Sequence, residues 1–114
     1  MALPKKGEKI LVLKECWLDL ILKKQKTLDI RGRAFKAGFY WLGYGGFIRG
    51  KATLGEAIPI RTEEVWALLR DQHCVEIDEL PYKKTWGLPI VNAQAVAPVK
   101  YHHTRGAVGI VKYR

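Results

Sequence analysis

The sequence predicts a strand-dominated α+β fold, a small curved sheet or partly closed barrel with short helices packed on its ends or flank. Three observations carry that reading. β-Branched and aromatic runs outnumber helical stretches, glycines mark the turns between them, and two segments alone space their apolar residues as a helix does. The 114 residues are one domain's worth, and residues 1–114 are read as a single domain. A hydrophobic fraction of 48% with 11 Gly and 5 Pro is ordinary globular composition and excludes a disordered chain.

Taken in order, KILVLK (9–14) is an apolar run after Gly7 and predicts a first strand. ECWLDLILKK (15–24) sets Trp17, Leu20 and Ile21 at i, i+3 and i+4, the spacing of a helix that buries one face. Lys23 and Lys24 close it, where cations suit the negative end of the helix dipole. Cys16 lies within this pattern and is expected to be a buried free thiol; with Cys74 the only other cysteine, no disulfide framework is implied. TLDIR (27–31) then alternates with period two, Leu28 and Ile30 to one face, Thr27, Asp29 and Arg31 to the other.

GFYWLGY (38–44) and FIRGKATLGEAIPI (47–60) are two strands joined by Gly45-Gly46, a hairpin signal. Gly50 and Gly55 in the second run point to a bulge or a close backbone approach. Thr62 before Glu63 and Glu64 is an N-cap, and Val65, Leu68 and Leu69 give the second helix its buried stripe, to about His73. DELPYKK (78–84) is a turn or short helical piece. TWGLPIVNAQAVAPV (85–99) is a long extended run whose Pro89 and Pro98 suit an edge or bent strand. AVGIVKY (107–113) supplies the last strand, for an order β-α-β-β-β-α-β-β.

The 20 Lys and Arg against 11 Asp and Glu leave a net charge of +9. On so small a domain that balance favours polyanionic partners, nucleic acid ahead of membrane. A merely solvated basic surface is the bland alternative. No run of signal-peptide or membrane-spanning length is present, so the expectation is a cytoplasmic, reduced compartment; the sequence does not give the oligomeric state, and a monomer is the default.

GGFIRGKA (45–52) has the spacing of a phosphate loop but ends in Ala52 where a magnesium-binding hydroxyl belongs, and its Phe47-Ile48-Arg49 wants a strand, so it is read as the hairpin. His73-Cys74 and His102-His103 match no common zinc spacing, and neither a metal nor a cofactor is expected. His102 or His103 is a candidate pocket residue, solvated loop histidines being the alternative. The chain contains no serine, which excludes serine nucleophiles. The informative stretch is KKQKTLDIRGR (23–33). A helix delivers Lys26 at its end, and a strand sets Asp29 and Arg31 on one face, so a cation, an acid and a guanidinium fork form a compact cluster. Such a cluster can hold a phosphate or a base edge, or be a structural salt bridge.

That succession, LVLKECWLDLILKKQKTLDIRGR, resembles the start of the ASCH domain of the PUA-like superfamily: a strand, a short helix, then G-x-K-x-x-E-x-R running into the second strand. Lys26 and Arg31 stand at the motif's Lys and Arg, Asp29 at its Glu, and Lys24 where the Gly is expected. GFYWLGYGG, GKATLGEAIPI and TWGLPIVNAQAVAPVKYHHTRGAVGIVKY are similar to the strands that follow, so the likeness covers nearly the whole chain. It implies a β pseudo-barrel of about five or six strands with two or three helices, and a cleft at the helix-to-strand motif that binds RNA or a nucleotide.

Lys26, Asp29 and Arg31 of the motif are the nucleic-acid-binding candidates, with Arg33, Tyr101 and His102 beside them; Lys51, Lys100, Arg105, Lys112 and Arg114 extend a phosphate track, a scattered solvated surface being the alternative for all five. Trp17, Trp41 and Tyr44 are weighed as stacking surfaces against core packing. Some relatives deacetylate N4-acetylcytidine with the motif Lys, a Thr at the position of Asp29 and a later Glu. Lys26 fits that scheme, the hydroxyl nucleophile is missing, Thr27 points elsewhere, and Glu76 matches the acid only by position. Others are associated with ribonuclease activity, for which Lys26 and Tyr82 or Tyr101 are candidates. Binding is the leading expectation and hydrolysis the alternative.

Overall fold

The computed structural model describes residues 3–103 and 109–114. Its strands are β1 (Lys9–Val12), β2 (Leu28–Arg31), β3 (Gly38–Tyr44), β4 (Phe47–Leu54), β5 (Ile58–Ile60), β6 (Thr85–Lys100) and β7 (Ile110–Lys112). Three short helices stand among the described residues, α1 (Glu15–Leu22), α2 (Glu63–Leu68) and α3 (Arg70–His73). The strands make one curled sheet in the order β2-β6-β4-β3-β1-β7, with β5 also on β6. All pairings are antiparallel except β1 with β3. That exception follows from the α1–β2 crossover between them, because parallel neighbours need a long connection.

The hairpin forms as its glycines require, with Gly45 at φ 63° and Gly46 at φ 83°, the positive values of a tight two-residue turn. Register shifts between Leu42 and Gly43, Ile48 and Gly50, and Lys51 and Thr53 bend the β3–β4–β6 ladder. One face of the sheet packs Leu11, Tyr40, Leu42, Ala52, Leu54, Leu88 and Ile90 against Leu18 and Ile21 of α1. The alternate side chains Ile10, Trp41, Ile48 and Val111 form a second core with Tyr101 on the other face. No helix among the described residues is long and apolar enough to cross a membrane.

Four expectations are corrected here, and the strand expected at 85–99 as edge or bent is bent. The run 47–60 is two strands, β4 and β5, which follow the same edge of β6 with a break at Gly55–Ala57, so the sheet has one strand more than expected. β6 is bent but central, paired with β2, β4 and β5. Its prolines sit where the ladder tolerates them: Pro89 closes the β2 pairing, and Pro98 falls in the bulge opposite Arg49, between Ile48↔Val99 and Gly50↔Ala95.

In α1 the buried residues are Leu18 and Ile21, with Leu22 packed beside them, while Trp17 and Leu20 are half-buried. Gly50 explains the rotation: a Cβ there would meet Leu22 Cδ2 at 2.8 Å and the Gln94 carbonyl at 3.0 Å, so the missing side chain admits Leu22 against the sheet. Cys16 then falls on the far side of the helix and is exposed, not buried. In the second helical stretch, Leu68 is 81% exposed and Val65 40%, whereas Trp66 is fully buried. Trp66, with Leu69 and His73 at i+3 and i+7, makes the inner stripe. Its indole stacks on the His73 ring at 3.8 Å and donates to the Ile77 carbonyl at 2.7 Å. The larger aromatic wins the core position from two smaller aliphatics. Thr62 caps α2 as expected, accepting from the Val65 amide at 3.2 Å.

Candidate functional site

The turn after α1 positions Lys26. The Lys24 amide donates to the Ile21 carbonyl at 3.0 Å and the Gln25 amide to the Leu20 carbonyl at 2.9 Å, a helix-ending motif that needs a left-handed residue between them. Lys24 supplies it at φ 66°, in the position where the resembled motif carries glycine. A non-glycine residue there costs roughly 1–2 kcal/mol, which the bond from Lys24 Nζ to the Ala93 carbonyl offsets in part. The chain then turns Lys26 inward, 2% exposed. Its Nζ donates to the His73 carbonyl and stands 4.5 Å from the centre of the Trp17 ring. Burial pulls the Lys26 pKa below its ordinary 10.5; Asp29 opposes that shift and Arg31 adds to it.

Strand β2 places the other two members. Asp29, 3% exposed, accepts from Arg31 Nε at 2.7 Å. Arg31 Nη2 donates to the Val12 carbonyl at 2.9 Å. β2 stands at one end of the sheet order and β1, with Val12, next to the other end. Arg31 is therefore a side-chain clasp across the seam where the curled sheet is not closed by backbone pairing. Asp29 neutralises the clasp and orients it.

A cleft of about 730 Å³ opens along this seam. Val12, Leu13 and Lys14 form one wall, Asp29, Ile30 and Arg31 the other, and Trp17, Tyr44, Gly45, Gly46, Tyr82, His103 and Gly109 surround it. Among the described residues, aromatic rings thus frame a floor that carries one acid and one guanidinium. Asp29 Oδ1 and Arg31 Nη1 have no hydrogen-bond partner among the described residues.

The sequence candidates divide sharply. Asp29, Arg31, Trp17 and Tyr44 line the cleft, as does Tyr82, named as a ribonuclease candidate. Lys26 does not; it lies behind Trp17. Trp41 is 2% exposed and presents no stacking surface. Arg33 is exposed beside the cleft, its guanidinium 5.6 Å from the Phe35 ring centre. Lys51 sits mid-strand between Trp41 and Gln94, and Lys100 is exposed opposite Phe47; neither borders the cleft. Tyr101 is buried in the second core, where burial pushes its phenol pKa up. Of the histidine pair, His103 lines the cleft and His102 does not. Thr27, Glu76, Lys112 and Arg114 are exposed and outside it. Arg105 lies outside the described residues. Sequence reading missed Val12 as the partner of the clasp and the His73 carbonyl as the acceptor for Lys26. Both contacts join distant segments and leave no local signal.

No family model matches the chain, and no curated protein matches it by sequence. Solved structures do match in fold. The crystal structure of ASCH from Zymomonas mobilis superposes with a TM-score of 0.76 over 96% of this chain and 90% of that one, at 14% identity. Two point mutants of the Zymomonas mobilis protein give 0.76 over 98% and 92% at 13% identity, and 0.74 over 96% and 91% at 12%. The chain has the fold of these ASCH structures, a curled, strand-dominated sheet with short helices, as the order of its motifs implies.

Proposed function

We propose that this chain binds nucleic acid, with RNA as its ligand, in the seam cleft. The observation that carries the reading is the Asp29–Arg31 pair, held at the floor of a cleft framed by Trp17, Tyr44, Tyr82 and His103, on a chain of net charge +9. Each part has a use. Asp29 Oδ1 accepts from the exocyclic amine of a base, and Arg31 Nη1 donates to a base acceptor or a phosphate. The aromatic faces stack unpaired bases, worth about 1–3 kcal/mol per base. An ASCH fold agrees with this use without establishing it.

Fluorescence anisotropy with short single-stranded RNA over a salt series tests the reading. Affinity is expected to fall linearly on logarithmic axes, by about 0.7 per phosphate contacted. Arg31→Gln and Trp17→Ala are each expected to weaken binding at least about tenfold. Absence of binding at low salt, or affinity indifferent to salt, refutes it.

One observation favours a second reading, a hydrolase of modified nucleosides or RNA. Lys26 is buried, and desolvation draws its pKa toward the range in which an amine acts as a base. For that role Trp17 must swing away, since its ring lies over the ammonium. Turnover of N4-acetylcytidine or single-stranded RNA that disappears in a folded Lys26→Met variant supports hydrolysis; no turnover by the wild type removes it.

A further inference from the structure

The seam cleft does not end at Tyr82. A second, smaller pocket of about 320 Å³ adjoins it, lined by Arg31, Gly32, Arg33, Phe35, Tyr82 and Gly109. The two lobes share Arg31, Tyr82 and Gly109, so these three residues border both. Gly32 seats the Tyr82 ring. A Cβ on Gly32 would come within 3.0 Å of Tyr82 Cδ1, so a side chain there would push the ring out of place.

The lobes differ in chemistry. Among its described lining residues the larger holds one carboxylate, Asp29, with most of the aromatic frame. The smaller has no acid among its described lining residues and two guanidiniums. These stand 5.5 Å (Arg31) and 5.6 Å (Arg33) from the centre of the same Phe35 ring, whose π-face makes a site for cations. Arg31 spends Nε on Asp29 and Nη2 on Val12, while Nη1 lies 3.8 Å from where a Cβ on Gly109 would stand, at the wall common to both lobes. Two like charges lining one pocket are complementary to an anion placed in it.

We propose that the smaller lobe is a phosphate subsite, and that the ligand of the groove is a nucleotide or oligonucleotide rather than a free nucleoside. The proposal rests on the reading of the larger lobe as a base pocket. It adds a division of labour: Asp29 and the aromatic frame take the base, and Arg33 with the Nη1 edge of Arg31 takes the adjoining phosphate.

Isothermal titration of the full chain with the four ribonucleosides and their 5′- and 3′-monophosphates, at low salt, tests it. At least one monophosphate is expected to bind about tenfold or more tightly than its nucleoside. Arg33→Gln is expected to abolish that difference while nucleoside affinity stays the same. Lys5→Gln, which removes an exposed charge elsewhere, is expected to preserve it. Equal affinity for nucleoside and monophosphate overturns the subsite and leaves the base pocket standing. Equal losses in Lys5→Gln and Arg33→Gln assign the gain to net charge and likewise overturn it. No binding of either ligand class overturns the base pocket and the subsite together.

Discussion

Replacing Asp29 by Asn takes away the carboxylate at the floor of the cleft while keeping its shape. The wild-type cluster is two cations and one acid: Lys26 at 2% exposure, Asp29 at 3%, and Arg31 with its side chain 17% exposed. Removing one partner of a buried pair costs about 3–5 kcal/mol, because the remaining charge is left uncompensated. Two features lower that figure here. Asn still offers an oxygen to Arg31 Nε, and Arg31 reaches enough water to be partly screened. About 2–3 kcal/mol is the expected loss, a fall of roughly 10 °C in Tm for a domain of this size. Urea unfolding followed by tryptophan fluorescence measures it. Adding Lys26→Met should recover part of the loss, since it removes the cation that the substitution orphans. A cost below about 0.5 kcal/mol, or no recovery in the double variant, would refute the view of Asp29 as counter-charge to a buried lysine.

Other outcomes follow from the same contacts. The folded pKa of Lys26 is lowered, so between that value and 10.5 the unfolded chain binds more protons and stability rises with pH; Lys26→Met should flatten this rise in unfolding curves taken at alkaline pH. His73 behaves similarly at lower pH. Its ring shares a 2.9 Å bond with the Trp66 carbonyl, so Nε2 carries the proton, and Nδ1 accepts from the Val75 amide at 2.9 Å. Burial holds its pKa below 6.5, so this contribution is complete above pH 6.5 and is lost as pH falls toward the folded value; His73→Gln should remove that acid slope. Gly43→Ala should cost about 1–3 kcal/mol by thermal unfolding, because the new Cβ would lie 2.9 Å from both Ile10 Cγ2 and Tyr101 Cε1.

Patterns repeating within one segment were legible in the sequence: the alternation of TLDIR, the hairpin glycines, the Thr62 cap and the succession that resembles an ASCH domain. Orientation was less so. Helical spacing in α1 allows more than one apolar face, and Gly50 on a distant strand selects Leu18, Ile21 and Leu22. In α2 the choice between Trp66 and its aliphatic neighbours depends on His73 and Ile77, which the local pattern does not include. The site was half legible. Period two put Asp29 and Arg31 on one face, and they pair. Charge alone could not separate Arg33, beside the groove, from Lys51 and Lys100, which lie elsewhere on the sheet. The burial of Lys26 behind Trp17 comes from the docking of α3 and has no trace in the motif itself.

The central claim is that the seam cleft takes up RNA. A backbone amide NMR titration with short single-stranded RNA at low salt tests it most directly. Shifts concentrated at Lys14, Trp17, Asp29–Arg31, Tyr44–Gly46, Tyr82 and His103, and lost in Arg31→Gln, are the predicted result. Shifts centred on Lys51 and Lys100, or spectra unchanged by RNA, would contradict it.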